Sequence, residues 1–188
     1  MDINLNKIKR YNTFKRVNSF VGALFWLIVL SIFLIIIFLI NIIDTKGHPF
    51  FKQERYGYQH KTFNIYKFRS MNKEGKSSLW GRFIRFTSID ELPQLINILK
   101  GDMVFIGPRP LSVKEGEINE VKEKSNPSPY IVRPGLSGYA QMHFDPKGSI
   151  EEKVNYDIYY VSNFSLSLDL KILFVTIFRF LPISIHHR

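Results

Sequence analysis

The chain contains no cysteine among its 188 residues. Disulfide bonds and thiolate metal sites are therefore excluded, which agrees with a reducing compartment. Charge is missing from one long stretch, because no Asp, Glu, Lys or Arg occurs between Val17 and Ile43, and this stretch also lacks proline. Recognisable nucleic-acid-binding motifs are absent as well, so the sequence predicts no nucleic-acid partner.

The uncharged stretch predicts a membrane segment. As a helix, residues 17–43 would be about 40 Å long, which exceeds the roughly 30 Å hydrocarbon core of a bilayer. The stretch is about twice as long as the apolar region of a signal peptide, and no small-residue cleavage site follows it. A buried core helix of this length would need a far larger partner domain. We therefore predict a membrane anchor over residues 1–43 and a folded domain over residues 44–188.

The basic residues are concentrated around this anchor. The net charge of +10 comes entirely from the first 110 residues. Cations precede the stretch at Lys7, Lys9, Arg10, Lys15 and Arg16, and follow it at Lys46, Lys52, Arg55, Lys61, Lys67 and Arg69. Such flanks favour contact with anionic lipid headgroups over nucleic acid. Because both flanks look cytoplasmic, we predict a re-entrant helix that bends near Ser31 and returns to the same face.

Two adjacent carboxylates, Asp90 and Glu91, precede a predicted helix. Apolar residues recur at helical spacing at Leu92, Leu95, Ile96 and Leu99, before Gly101. Asp90 is a good N-cap, Pro93 fits a first turn, and Ser88 with Glu91 has the spacing of a capping box. Two roles are therefore open for Asp90 and Glu91. The pair caps the helix, or it attacks phosphorus and holds a metal at a helix start that also suits phosphate.

An arginine is fixed between two prolines shortly after this helix. Arg109 lies between Pro108 and Pro110, whose rings restrict the local backbone. A guanidinium held in this way suits binding to phosphate oxygens. The pattern of two carboxylates followed by this arginine is typical of phosphate chemistry.

The domain after the anchor reads as α+β with short elements. We predict a strand over 61–69, a short helix over 79–86 that presents Arg82 and Arg85 to the carboxylates, and a buried strand over 104–106. Residues 111–124 predict a charged surface helix, and 125–149, rich in proline and glycine, are largely loop. The apolar stretch 168–185, interrupted by Pro182, lies against the membrane or packs as a core helix.

These motifs, in their order and spacing, resemble the bacterial sugar transferases, the small monotopic phosphoglycosyl transferases. The resemblance covers Lys15 to Thr176. The matching segments are 51–57, 63–71, 81–94, 101–103, 107–110, 133–141, 157–161 and 165–170. The chain departs from the family pattern in three places, which are the missing Ser-Pro pair in the anchor, Lys15-Arg16-Val17-Asn18, and His143-Phe144-Asp145.

The resemblance implies transfer of a phosphosugar from a UDP-sugar to a polyprenol phosphate such as undecaprenyl phosphate, with release of UMP, at the start of surface-glycan synthesis. It implies that Asp90 is the nucleophile of a covalent aspartyl phosphosugar, that Glu91 assists, and that both carboxylates bind Mg²⁺. The implied substrate-binding residues are Arg69, Arg85, Arg109, Arg133 and Gln141. The implied location is the bacterial inner membrane, with the catalytic domain 44–188 on the cytoplasmic face.

Two other classes remain open from the residues alone. A membrane-anchored nucleotide-sugar hydrolase would use the same carboxylates but would need no lipid acceptor. A non-enzymatic membrane scaffold would explain the anchor and the charge, but it would leave Asp90, Glu91 and Arg109 without a role. The identity of the sugar, the polyprenol length and the oligomeric state, including a homodimer, also stay open.

Overall fold

The structure is a computed structural model that describes residues 5–72, 74–143 and 149–180. Its helices are α1 (Leu5–Val29), α2 (Ser31–Asp44), α3 (Leu79–Phe86), α4 (Gln94–Lys100), α5 (Gly116–Lys124), α6 (Tyr139–Met142), α7 (Ile150–Asn163) and α8 (Leu166–Phe180). Its strands are β1 (Phe50–Tyr56), β2 (Thr62–Phe68), β3 (Val104–Ile106) and β4 (Gly135–Ser137). The strands form two sheets of two strands each, so the predicted mixed α+β class is confirmed.

The N-terminal segment is a bent helix pair. Its helices α1 and α2 meet at Leu30, where the axis turns by 69°. Leu30 itself leaves helical geometry, with φ −89° and ψ 3°. The predicted bend next to Ser31 is therefore confirmed, although the stretch contains no proline. Within the described residues no single helix is long and apolar enough to cross a bilayer, whereas the bent pair meets that test by length and composition alone.

The helix pair packs against the rest of the chain. Ile8 and Ala23 of α1 and Ile37 of α2 are buried, each in a different apolar cluster. The cluster around Ile8 also contains Ile106, Val132, Met142, Tyr160, Val161 and Ile172. The cluster around Ala23 contains Ile65, Leu95, Ile98 and Met103, and that around Ile37 contains Phe68 and Ile84. The helix pair thus contributes one buried residue to each of these three apolar clusters of the described residues.

A buried asparagine fixes the end of α2. The side chain of Asn41 is fully buried. Its Nδ2 donates to the carbonyl of Pro49 at 2.6 Å, and its Oδ1 accepts from Nε1 of Trp80 at 3.0 Å. Because Pro49 precedes β1 and Trp80 lies in α3, one side chain ties the bent pair to both neighbours.

The first sheet is an antiparallel hairpin that supports α4. Strand β1 pairs with β2 from Phe50 opposite Phe68 to Tyr56 opposite Thr62, which confirms the strand predicted over 61–69. Asn97 of α4 is fully buried, accepts the backbone N–H of Tyr66 at 3.0 Å and donates to the carbonyl of Asn64 at 2.7 Å. These bonds hold α4 against the outer edge of β2.

The helix predicted after the two carboxylates begins later than expected. Asp90 is not its N-cap, because residues Ile89–Glu91 form a 3₁₀ turn and α4 starts only at Gln94. The predicted capping box is also wrong, since Ser88 adopts left-handed geometry at φ 56° and its side chain makes no cap hydrogen bond. The helix does end before Gly101, as predicted, with that glycine at φ 90°.

The buried face of α4 also differs from the predicted stripe. Ile96 is 42% exposed, whereas Leu95 and Ile98 are buried. The polar residues Gln94 and Asn97 complete the buried face. Asn97 faces inward because it bonds the edge of β2, and this requirement rotates Ile96 away from the core.

The second sheet is parallel and depends on close glycine contacts. Strand β3 pairs with β4, with Val104 opposite Gly135 and Ile106 opposite Ser137. A Cβ on Gly135 would lie only 2.1 Å from the backbone nitrogen of Gly107. The strand predicted over 104–106 is confirmed. The loop predicted over 125–149 is wrong in part, because it contains a 3₁₀ turn (Pro129–Ile131), β4 and α6. Residues 144–148 of that loop lie outside the described residues.

The remaining helices were predicted with different bounds. The charged helix predicted over 111–124 is α5, which starts at Gly116. It is not wholly a surface helix, since Asn119 and Lys122 are buried. Helix α8 lies in the predicted apolar stretch and has one buried and one exposed apolar face. Ile172 is fully buried, whereas Phe174 is 61% exposed. Residues 181–185 of that stretch lie outside the described residues.

Candidate active site

Asp90 lies in the turn that connects α3 to α4. The turn packs on β2 and α3, and only 8% of the residue is exposed. Burial is the main cause that raises the pKa of Asp90 to about 6, and the neighbouring carboxylate of Glu91 adds to the rise. The cations of Lys67 and Arg85 oppose it. At neutral pH the group is therefore mostly ionised, but it is poorly solvated, which favours reaction with an electrophile.

Glu91 is held by a lysine from the hairpin. Nζ of Lys67 in β2 contacts Oε1 of Glu91 at 2.5 Å, and the two side chains are 18% and 30% exposed. The ion pair keeps Glu91 beside Asp90 and brings a positive charge to both carboxylates. Sequence analysis placed Lys67 in a strand and in the basic flank of the uncharged stretch, and not beside the carboxylates. Its position before Arg69 in a segment of alternating polar residues was the available signal.

Two of the predicted substrate-binding arginines, Arg85 and Arg69, have different surroundings. Arg85 of α3 is exposed, interacts electrostatically with Asp90 and contacts Sδ of Met71 at 3.1 Å. The prediction that α3 presents Arg85 to the carboxylates is thus consistent with its position. Arg69 instead donates to the backbone carbonyls of His48 at 3.0 Å and Phe50 at 3.3 Å. Those bonds close the open end of the hairpin.

Arg109 is linked to the carboxylates through Arg55, a second arginine that interacts with both Arg109 and Glu91. Arg109 is exposed in the turn that follows β3. Arg55 of β1 donates to the carbonyl of Pro110 at 3.0 Å and interacts with both Arg109 and Glu91. Burial, and then the charge of Arg109, lower the pKa of Arg55. Arg55 thus interacts with both Glu91 and Arg109, whereas Arg109 is not among the groups that act on Asp90. Sequence analysis named Arg55 only as a cation that follows the uncharged stretch.

Arg133 lies at the far end of α4 from the carboxylates. Its Nε donates to the carbonyl of Gly101 at 3.1 Å, and its guanidinium stacks over the ring of Tyr58 at 4.9 Å. Arg16 binds the neighbouring carbonyls of Ile98 and Leu99. The structure thus places Arg133 among the groups that cap α4, and not among those that act on Asp90.

Gln141 is also apart from the carboxylates. It belongs to α6, a short helix that packs on α7 and α8. Its side chain lies against Gly138, where an added Cβ would come within 2.7 Å of Oε1. The groups that act on Asp90 come from β2, α3 and the turn itself, and Gln141 is not one of them.

The site can contribute two carboxylates to a metal. Among the described residues no group of three or more His, Cys, Asp or Glu side chains forms a metal cluster. Mg²⁺ is commonly held by one or two carboxylates together with substrate phosphates and water. The oxygen donors of Asp90 and Glu91 fit this mode of binding, with a substrate diphosphate completing the coordination.

The comparisons with known proteins agree with this chemistry. Residues 10–182 match the family described as bacterial sugar transferase. An uncharacterized sugar transferase, EpsL of Bacillus subtilis (strain 168), is 41% identical over 87% of this chain and 85% of its own length.

Relatives with named activities are longer. The UDP-glucose:undecaprenyl-phosphate glucose-1-phosphate transferase of Klebsiella pneumoniae is 33% identical over 88% of this chain, but the match spans only 40% of that protein. A UDP-N-acetylgalactosamine-undecaprenyl-phosphate N-acetylgalactosaminephosphotransferase of Aeromonas hydrophila is 38% identical over 72% of this chain and 36% of its own length. The match over nearly the whole chain, together with the buried carboxylate and its cations, shows that this protein is a transferase of the bacterial sugar transferase family.

Proposed function

We propose that this protein transfers a sugar 1-phosphate from a UDP-sugar to undecaprenyl phosphate, with release of UMP, through a covalent intermediate on Asp90. The observation that carries the proposal is the state of Asp90, a buried but mostly ionised carboxylate beside the Lys67–Glu91 ion pair. The names of the Klebsiella and Aeromonas relatives support the donor and acceptor classes. The product would be the first lipid-linked sugar of a surface glycan.

The reaction divides into two displacements at one phosphorus. A carboxylate oxygen of Asp90 attacks the phosphorus that carries the sugar, and UMP leaves with the electron pair of the broken P–O bond. An oxygen of the lipid phosphate then attacks the same phosphorus, and Asp90 leaves as a carboxylate. Lys67, Arg85 and Arg109 supply positive charge to the phosphate oxygens while the charge moves.

Asp90 and Glu91 would hold Mg²⁺ in this proposal. The ion supplies charge neutralisation for the diphosphate. Glu91 is also the group that Lys67 orients, so the ion pair fixes one carboxylate while leaving Asp90 free of a direct ion pair among the contacts described. Arg69, Arg133 and Gln141 remain predicted substrate-binding residues, but their contacts give them structural roles as well.

The exposed apolar surface supports a membrane location for this protein. Besides the bent pair, Leu79 and Phe86 of α3 are 79% and 67% exposed, and Phe174 of α8 is 61% exposed. Such side chains fit the boundary between headgroups and acyl chains. We propose that the bent pair enters the bilayer and returns, with the catalytic domain on the cytoplasmic face, where UDP-sugars are available. The lipid acceptor would then approach from the same surface.

The test is UMP release by the purified full chain in detergent, with a panel of UDP-sugars and with undecaprenyl phosphate. We expect continued UMP release only when the lipid is present. Without lipid, a labelled donor should leave at most one equivalent of phosphosugar on the protein. Asp90→Asn should abolish both the transfer and the labelling, because an amide does not form the acyl phosphate.

The control for this variant is Asp102→Asn, which changes the carboxylate at the other end of α4. It should keep both transfer and labelling. Asp90→Asn should not melt below the parent at neutral pH, since burial of the ionised carboxylate is unfavourable and the amide removes that cost. Continued UMP release without lipid would instead show a nucleotide-sugar hydrolase. Transfer by Asp90→Asn near the parental rate would exclude the covalent step.

A further inference from the structure

An ion pair outside the carboxylate site is almost completely buried. Lys122 of α5 and Asp157 of α7 contact each other through Nζ and Oδ2, and each side chain is only 2% exposed. The next most buried pair within the described residues, Lys15 with Asp169, is 11% exposed on each side. None of the roles proposed above uses Lys122 or Asp157.

Both members of the pair contact the peptide groups of Arg109. Nζ of Lys122 donates to the carbonyl of Arg109 at 3.3 Å. The backbone N–H and the charge of Arg109 both act electrostatically on the carboxylate of Asp157, whose Oδ1 is buried without a hydrogen-bond partner among the described residues. Because Pro108 and Pro110 have no N–H, this is the single backbone donor between Gly107 and Leu111. The Lys122–Asp157 pair therefore interacts with this turn at Arg109 itself, the residue that carries the guanidinium.

Stability alone does not explain such a pair. Removing two charges from water is costly, and well-packed apolar side chains of similar volume often stabilise a fold equally well. Burial raises the pKa of Asp157, while Lys122 and the Arg109 N–H oppose that rise. A lysine and a carboxylate offer what an apolar pair lacks, namely a donor and an acceptor for the two sides of one residue.

We propose that the Lys122–Asp157 pair is a positioning device for Arg109, holding its backbone N–H and carbonyl so that the guanidinium points to the donor diphosphate. The inference rests on the proposed function, in which Arg109 binds that diphosphate. Lys122 and Asp157 are positioning residues, because they act through the Arg109 backbone. Arg55 contributes a third contact to the same turn through the carbonyl of Pro110.

The test uses a double variant that removes both charges. A single change, Lys122→Met or Asp157→Leu, leaves a buried charge without its partner and is expected to unfold the chain. The double variant Lys122→Met with Asp157→Leu keeps side chains of similar shape and leaves no buried charge. Lys124→Met is the matched control, since Lys124 lies on the same helix and its side chain is 78% exposed.

Two measurements are made on the full chain in detergent. The first is amide hydrogen exchange of a peptide covering residues 107–111, whose only backbone amides are those of Arg109 and Leu111. The second is steady-state kinetics with the donor. We expect the double variant to melt near the parent, to exchange this peptide faster, and to raise the donor KM about tenfold with a smaller change in kcat. Adding Arg109→Ala should raise KM no further, because both changes remove one interaction.

A double variant that is as stable as the parent, with the parental exchange rate of this peptide and the parental donor KM, would overturn the inference. The ion pair would then be a purely structural element. Additive effects of the double variant and Arg109→Ala would also overturn the inference. If the parent releases no UMP from any donor, the proposed function fails. The exchange measurement still decides whether the pair holds the Arg109 peptide, since it does not depend on turnover.

Discussion

At the scale of single residues, the chemistry centres on the ionisation of Asp90. Its carboxylate is buried in a turn, next to a second carboxylate and between two cations, and its pKa rises to about 6. In the proposed reaction, Asp90 must be ionised to attack phosphorus. A group with this pKa is mostly ionised at neutral pH, and it becomes protonated as the pH falls through about 6.

We therefore expect kcat/KM to fall about tenfold per pH unit below pH 6, because this ratio reports ionisations of the free enzyme. Lys67→Met removes a cation that favours ionisation, so the acid limb should move to higher pH by roughly one unit. Glu91→Gln removes a neighbouring negative charge, so the limb should move to lower pH. Lys76→Met changes a lysine that is 81% exposed in a distant loop and serves as the control.

The pH profile of kcat/KM for the four proteins measures this effect. Shifts of the same sign in Lys67→Met and Glu91→Gln would contradict the assignment of the limb to Asp90. An unshifted limb in both variants would do so as well. Lower rates are expected in either variant, but the midpoint of the limb does not depend on the absolute rate.

At the scale of elements, the bend between α1 and α2 needs an explanation without proline. Hydrogen bonds from the N–H of Leu30 to the carbonyl of Trp26 and from the N–H of Leu34 to the carbonyl of Leu30, both 2.8 Å, flank the break. The far end of α2 is fixed by Asn41, and its middle by the burial of Ile37 against Phe68 and Ile84. The packing of α2 on the hairpin and on α3 therefore accounts for its direction.

Asn41→Leu should loosen this bend. The substitution keeps the branched shape of the side chain but leaves the carbonyl of Pro49 and the indole N–H of Trp80 without their partner, at a cost of roughly 1–3 kcal/mol for each buried group. Spin labels on cysteines at Val21 and Leu39, both exposed, report the distance between the two helices. We expect a broader and longer distance distribution in Asn41→Leu.

Ser31→Ala is the control for this prediction, because its hydroxyl lies at the break itself. It should leave the distance distribution unchanged. A change in Ser31→Ala with none in Asn41→Leu would show that the bend is set locally by the serine and not by the packing of α2.

At the scale of the whole molecule, the topology depends on where the two flanks of the bent pair lie. Cations on both flanks favour one face for both. The cysteine-free chain allows single cysteines at Asn6 and Glu74, both exposed and on opposite flanks of the pair. With a membrane-impermeant maleimide, both should be protected in intact cells and labelled after lysis. Labelling of Asn6→Cys in intact cells would show a spanning helix with its N-terminus outside.

Local patterns in the sequence predicted much of the fold. The alternation over 61–69, the helix over 79–86 and the strand over 104–106 were all confirmed, because each is set by side chains that are close in sequence. The helix cap at Asp90 was wrong, since the left-handed Ser88 and the packing of the turn on β2 override the local capping preference. Strand β4 was missed because three residues carry no period, and its pairing depends on the close approach of Gly135 to Gly107.

The sequence by itself was enough to suggest the proposed chemistry, since two adjacent carboxylates, an arginine between prolines and an uncharged stretch are all local features. Tertiary structure decided which charges meet. It placed Lys67 on Glu91, brought Arg55 into interaction with both Glu91 and Arg109, and directed Arg133 to the other end of α4. It also buried Lys122 with Asp157, two residues far apart in the chain. The reason is physical: ion pairing and burial depend on distances across the fold, and no local spacing encodes them.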